Sequence, residues 1–383
     1  MTRGALLALA LAFCVLPAAA APAPRRLIEF GWDEPYTDFL RAHITQMERT
    51  PFDGCVFLVD YKTSDGSKGC FSSECWGARP FTPLDLQPAL DDLKATRFRR
   101  FKHNFLRFDT TPGNVDWFDD HSAVLNNARL AARVARDGGC AGILFDIEQY
   151  EGQLFDYRKQ RDTGRRSWDE YAAQVRRRGR EVMEAFQEGY PDLTVFLTYG
   201  YCLPWVHSEG RLDRLPDTDY GLLAPFMDGL VDGAAGSTKL VDGFELSYGY
   251  RKPEEFASGY RLVKQGLLPM VANPERYRKY CSMAFAVWMD NDWRRHGWDT
   301  RRPGKNYFTP AAFGTSVRAA LATTDEYVWI YTESPRWWSE GGTPVKLPAT
   351  YDAALRRARA GARTVPAHVL PPEQGVSRPT TSP

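Results

Sequence analysis

The feature that most constrains this chain is an alternation. Between residues 27 and 360, short runs of apolar, β-branched and aromatic residues take turns with longer segments of helical period. The short runs fall at 27–32, 55–60, 101–108, 142–148, 194–199, 243–248, 284–289 and 327–331. The helical segments follow them at 37–49, 83–96, 122–137, 168–189, 217–231, 253–265, 310–323 and 349–360. Eight β/α units predict an α/β fold, a single closed (β/α)8 TIM barrel with long βα loops. The short runs are nearly continuously apolar, as parallel strands buried on both faces must be. An open doubly wound sheet fits less well, because no glycine-rich phosphate turn follows the first run. Composition does not shift inside 27–360 as a linker would make it, so one barrel domain over 22–362 is expected.

The ends read differently. Arg3, an apolar stretch at 6–16 and the small residues at 18–21 form the pattern of a signal peptide over 1–21, which predicts a secreted or periplasmic protein. The apolar stretch is short of the about 20 residues a membrane span needs, and no other stretch is long enough, so no membrane span is expected. Residues 363–383 are rich in Pro, Ser and Thr without apolar periodicity and are expected to be a disordered tail. Lys and Arg number 49 against 48 Asp and Glu, a net charge of +1, which argues against a nucleic-acid partner. Beyond the leader, Cys70 and Cys75 are spaced to pair and stiffen the loop 61–83 in an oxidising compartment. The absence of a CxxC pair or a paired-His spacing predicts no metal, and nothing in the sequence calls for a cofactor.

Barrel chemistry sits at the C-terminal ends of the strands. Those ends here carry Trp32 and Asp33, then Asp60, Arg107, the Asp146 and Glu148 pair, Tyr199, Glu245, Trp288 with Asp290, and finally Trp329, Tyr331 and Glu333. The two-residue period of a strand puts Asp146 and Glu148 on one face, pointing into the barrel, and turns Phe145 and Ile147 toward the helices. Two such carboxylates are costly unless solvated, paired or functional, and their repulsion would keep one protonated near neutral pH. The plainer alternative is a structural ion pair between Asp146 and Arg107 or Lys102. Glu245, inside an apolar run, is the favoured partner of Glu148, with Asp290 and Glu333 as competitors.

Three stretches carry a family resemblance: Gly142-Ile143-Leu144-Phe145-Asp146-Ile147-Glu148, Tyr327-Val328-Trp329-Ile330-Tyr331-Thr332-Glu333, and the acids that end most other strands. With them the chain resembles the (β/α)8 glycoside hydrolase superfamily. It is also partly similar to chitinase-type barrels, whose fourth strand reads D-x-x-D-x-D-x-E. Asp146 and Glu148 match the last two acids, whereas Ala141 and Leu144 stand where the first two would be, against assistance by an acetamido group. The resemblance implies cleavage of an O-glycosidic bond by a carboxylate pair, with Glu148 as acid, Glu245 as nucleophile or base and Asp146 tuning Glu148. The substrate would be an oligo- or polysaccharide held by Trp32, Asp33, Asp60, Arg107, Tyr199, Trp288, Asp290, Trp329, Tyr331 and Glu333. Trp76, Trp293 and Trp298 would overhang the mouth as further stacking surfaces. The basic loop 291–308 admits an anionic sugar. The alternative is a carbohydrate-binding barrel without catalysis, and the discriminating feature is whether Glu148 and Glu245 face one pocket. A metal-dependent hydrolase would need several His at the strand ends, and a serine hydrolase a G-x-S-x-G; neither pattern is present.

Overall fold

A computed structural model describes residues 25–339 and 342–362. The leader read at 1–21 and the tail read at 363–383 lie outside the described residues.

The strands are β1 Arg26–Glu29, β2 Gly54–Phe57, β3 Asp60–Lys62, β4 Lys68–Cys70, β5 Phe105–Asp109, β6 Gly142–Asp146, β7 Thr194–Leu197, β8 Lys239–Asp242, β9 Cys281–Met283, β10 Phe285–Trp288 and β11 Tyr327–Tyr331. β3 and β4 form a small antiparallel hairpin over the second loop. The other nine form one parallel sheet in the order β10-β11-β1-β2-β5-β6-β7-β8-β9. The two ends of that order, β9 and β10, are separated in the chain by Ala284 alone, so they are one strand bent where it leaves β8 and joins β11. Ala284 N–H donates to the Asp242 carbonyl (2.8 Å) at the bend. The sheet therefore closes on itself as the (β/α)8 barrel.

Helices cover the outside. The helix Trp168–Gly189 starts with a capping box between Ser167 and Glu170, and Pro310–Thr323 starts with the Thr309 hydroxyl accepting from Ala312 N–H. Side chains sort by the strand period. Ile28, Phe105, Leu144, Phe196, Val241, Ala286, Tyr327 and Trp329 fill the barrel interior. Leu27, Leu106, Ile143, Phe145, Val195, Leu240, Phe285 and Val328 pack in the larger core beneath the helices.

Two strand boundaries shift furthest. The sixth strand is Lys239–Asp242 and not 243–248. Its successor 243–248 alternates like a strand but winds into a turn, with Phe244 in the left-handed region (φ 46°) and a 3-10 turn over Glu245–Ser247. Gly243 permits this, since a Cβ there would lie 2.2 Å from the Leu197 carbonyl oxygen. The third strand starts at Phe105, because Lys102 and His103 instead donate backbone N–H to the Asp53 carbonyl at 2.9 and 3.1 Å.

The expected Cys70–Cys75 disulfide is also corrected: both thiols are free. They flank the one-turn helix Phe71–Glu74, and Cys75 is buried with its thiol donating to the carbonyls of Ser72 and Asp109, each at 3.2 Å.

Close approach of strands gives a test of the register. Gly142 opposes Thr194 across β6 and β7, and a Cβ at 142 would meet the Thr194 carbonyl oxygen at 1.9 Å. Gly142→Ala is expected to lower stability by about 1–3 kcal/mol in denaturant unfolding. A variant as stable as the parent contradicts this pairing.

Candidate active site

The site begins with a shortage of positive charge. Arg107, on the inward face of β5, donates to Glu34 Oε2 (2.8 Å), Asp109 Oδ1 (2.6 Å) and Asp146 Oδ2 (2.8 Å). Its side chain is 17% exposed, so the three pairs are shielded from solvent. Burial pushes the carboxyls of Glu34 and Asp109 above the usual carboxylate range, and Arg107 pulls both partly back. One guanidinium cannot neutralise three carboxylates, and burial makes the surplus negative charge expensive.

The plainer reading of Asp146 as an ion-pair partner of Arg107 is thus realised, and the inward reading holds as well. Asp146 is fully buried at the end of β6. It also accepts from Tyr150 OH (3.1 Å), Glu148 N–H (3.1 Å) and Thr198 Oγ1 (3.3 Å). These bonds fix the chain as it leaves the strand, and Thr110 Oγ1 holds the Glu148 carbonyl at 3.0 Å. Tyr150 OH is also hydrogen-bonded to Glu148 Oε2. Burial, then the charge of Asp146, pushes the Glu148 carboxyl up to about 7; Tyr150 and Arg107 oppose the rise.

Glu245 reaches the same place from the turn after β8. That turn keeps the barrel wall bonded without a strand: Glu245 N–H donates to the Thr198 carbonyl (3.4 Å) and Trp288 N–H to the Tyr248 carbonyl (3.2 Å). Ser247 ties it to β10 through Ala286, donating to its carbonyl (2.8 Å) and accepting from its N–H (2.9 Å). The Glu245 side chain is buried and its Oε2 has no hydrogen-bond donor at bonding distance. Burial raises its pKa well above the ordinary value, and the charge of Glu148 raises it further, while the nearby Tyr248 and Tyr199 hydroxyls temper the rise.

Glu148 and Glu245 line one cavity of about 500 Å³ at the C-terminal mouth of the barrel. Trp32, Arg107, Tyr199, Trp288, Tyr331 and Glu333 line it with them, as the strand ends predict. Tyr248 stacks on Tyr331 with centroids 5.1 Å apart, and Trp288 meets Tyr331 edge-on at 5.6 Å. Glu333 receives Arg294 in a bidentate pair, with Nη2 at 2.7 Å from both oxygens, and accepts from Tyr331 OH (3.1 Å).

Four expected site residues are placed elsewhere. Asp33 turns away from the cavity and accepts from Trp337 N–H (2.6 Å) and Trp338 N–H (3.3 Å). Asp60 sits on the hairpin, exposed. Asp290 is buried and pins the following loop by accepting from Ser334 N–H (2.7 Å) and Trp288 Nε1–H (2.9 Å). Trp329 lies one layer down inside the barrel, stacked on Phe30 at 5.0 Å beneath Tyr248 and Tyr331. Among the loop tryptophans, Trp76 is buried under the helices against Phe145, and Trp298 packs on Tyr351. Glu34, Tyr150, Thr198, Tyr248 and Arg294 line the cavity without having been singled out as site residues.

Among the described residues, no group of three or more His, Cys, Asp or Glu is arranged to hold a metal ion, and no helix is long and apolar enough to cross a membrane.

No protein-family model and no curated protein matches the chain. Solved structures similar to it include GH5_18 from Streptomyces cattleya in complex with GlcNAc, at 11% identity and a TM-score of 0.46, covering 91% of this chain and 82% of that one. An endocellulase from Pyrococcus horikoshii, in complex with cellotetraose, is similar at 10% identity and a TM-score of 0.41, covering 88% and 92%. A fungal β-1,4-galactanase is similar at 11% identity and a TM-score of 0.35, covering 87% and 100%.

The electrostatics give a test by stability. Glu34, Asp109, Glu148, Glu245 and Asp290 have carboxyls raised by burial, Glu148 to about 7 and Asp290 to about 6. The folded chain therefore holds protons that the unfolded chain has released. Their contribution is complete below the unfolded carboxyl range of about 4 and is lost as pH rises through the folded values. The melting temperature is expected to be lower at pH 8 than at pH 5.5; a rise over that interval contradicts the reading. Arg107→Met is expected to cost about 3–5 kcal/mol at pH 8. The deficit shrinks at pH 5.5, where the orphaned carboxyls take up protons.

Proposed function

We propose that the chain is a glycoside hydrolase that cleaves an O-glycosidic bond with Glu148 and Glu245. The observation that carries the reading is the pair itself: a half-buried Glu148 and a buried Glu245 from different strand ends, each raised in pKa, facing one aromatic-walled cavity. Two carboxylates flanking a scissile bond are the minimum equipment for this reaction. Trp32, Trp288 and Tyr331 offer flat faces for sugar rings.

The roles follow from the neighbours of each acid. Asp146 beside Glu148 disfavours its ionised form, and Glu148 is assigned the acid role; the Glu245 carboxyl is raised as well, so its ionisation completes the active form of the pair. Glu148 then protonates the glycosidic oxygen as the bond to the anomeric carbon breaks. The Tyr199 and Tyr248 hydroxyls favour the ionised form of Glu245, which either attacks the anomeric carbon or takes a proton from an attacking water. Tyr150, half exposed and bonded to Glu148, orients the acid toward the cavity. Arg107 keeps Asp146 in place and limits how far the Glu148 carboxyl rises. With the leader at 1–21, the reaction takes place outside the cytoplasm. N-terminal sequencing of exported protein is expected to start near residue 22, and a start at residue 1 contradicts export by cleavage.

Hydrolysis of a polysaccharide panel by the mature chain provides the main test. Glu148→Gln and Glu245→Gln are each expected to lower kcat/KM by about 10³-fold or more with folding intact. Equal product release by the parent and Glu148→Gln rules out the proposed acid. Because Glu148 must be protonated, kcat/KM is expected to fall as pH rises past about 7. Asp146→Asn removes a charge that raises Glu148 and is expected to move that alkaline limb to lower pH. An unmoved or raised limb contradicts the tuning role.

A further inference from the structure

Two exposed aromatic rings share one rim of the barrel mouth. Trp32, 55% exposed, stands between the acid cavity and a shallower depression of about 330 Å³. Tyr36, 37% exposed, lines that depression, with Phe39 and Trp338 as further aromatic walls. The rings offer faces to a ligand, and the charges around them decide its kind.

Those charges are mostly negative. Five carboxyls line the two hollows, Asp33, Glu34, Glu148, Glu245 and Glu333, against three guanidiniums, Arg107, Arg294 and Arg336. Each guanidinium is already committed. Arg107 serves Glu34, Asp109 and Asp146, and Arg294 forks onto Glu333. The charge of Arg336 acts inward, on Asp33 and on the fully buried Glu29. The guanidinium carbons of Arg294 and Arg336 both stand 5.7 Å from the centre of the Trp32 ring, so this rim already gathers cations.

Glu34 points to what is missing. It lines both hollows, its side chain is 7% exposed, and its Oε1 has no hydrogen-bond partner. Asp60, exposed on the hairpin, continues the acids past Tyr36. Burial, then Cys70, Asp60 and Glu34, push the Tyr36 hydroxyl up to about 12. An anion is repelled here, and a neutral ring gains only where an acceptor oxygen is exposed. An ammonium group gains from every carboxyl through the poorly solvated wall, whether or not a given oxygen is exposed, and from the ring faces as well.

We infer that the depression beyond Trp32 is a subsite for a cationic sugar unit, and that the substrate is an amino-sugar polymer whose chain runs from the carboxylate pair across Trp32. This rests on the glycosidase reading of the adjoining cavity.

The test is calorimetric binding at about pH 6, where an amine stays charged. The protein is the full mature chain carrying Glu148→Gln, which holds substrate without turnover. The probes are glucosamine and galactosamine oligosaccharides of matched length, each beside its N-acetylated form and its hydroxyl counterpart. The three forms differ at one ring position only. In at least one series the free amine is expected to bind more tightly than both counterparts, by about 10-fold or more. Adding Glu34→Gln is expected to weaken the amine by about 10-fold and the two neutral forms by no more than about two-fold. Asp60→Asn lies outside the Arg107 network and serves if Glu34→Gln melts early. It is expected to weaken the amine by about two- to five-fold, as a solvated charge would, and to leave the neutral forms unchanged. No preference for the amine in either series, or losses shared equally by all three forms, overturns the subsite. Hydrolysis of neutral glycans by the parent without amine-selective binding overturns the subsite and leaves the glycosidase reading standing. Amine-selective binding that depends on Glu34 or Asp60, with no hydrolysis of any glycan, does the reverse.

Discussion

The mouth of this barrel depends on the contacts of one guanidinium. Arg107 sits where three strand-end carboxyls converge, and the Coulomb attraction in a poorly solvated site is large enough to hold all three within 2.8 Å of it. It cannot neutralise them all. Glu148 and Glu245 add further acid to the same space, and their charges act on one another. The system lowers its charge by retaining protons. That is the physical origin of a carboxylic acid still protonated near neutral pH, which is what acid-assisted bond cleavage needs. The same surplus costs stability as pH rises, so the site is built against the fold's preference.

The barrel makes this arrangement affordable. Inward-facing layers below the mouth are closed by Phe105, Phe196, Tyr327 and Trp329, which exclude water and raise the cost of every charge above them. The turn after β8 brings Glu245 in at the level of Glu148, and its bonds to both neighbouring strands replace the ladder it interrupts. A left-handed Phe244, fully buried and packed against Phe285 at 5.8 Å, is held in that conformation by its surroundings.

Much of this was legible in the sequence. The alternation specified the barrel, and the period of β6 placed Asp146 and Glu148 inward with Phe145 and Ile147 outward. Carried two residues further, the same period finds Tyr150. Applied to the first strand, it also selects Glu34 over Asp33, since Ile28, Phe30, Trp32 and Glu34 share a phase. Trp329 has the inward direction its phase requires but sits one layer too low to reach the mouth. Period says nothing about where a strand stops, so by pattern alone 243–248 reads as a strand and Asp290 as a lining residue. The convergence of three acids on Arg107 joins residues up to 73 positions apart, and no local pattern encodes it. Aromatic content divides likewise: Trp32 and Trp288 face the cavity, while Trp76, Trp329, Trp337 and Trp338 are core.

The central claim is that Glu148 and Glu245 share one proton at the mouth of the barrel. Carboxyl-carbon NMR titration of selectively labelled glutamate tests it directly, with each signal assigned through the Gln variants. The expected result is a Glu148 midpoint near 7, a Glu245 midpoint above the ordinary range, and a fall in the Glu245 midpoint when Glu148 is replaced by Gln. Ordinary glutamate midpoints of about 4.3 for both residues, or a Glu245 midpoint indifferent to Glu148→Gln, would contradict the account.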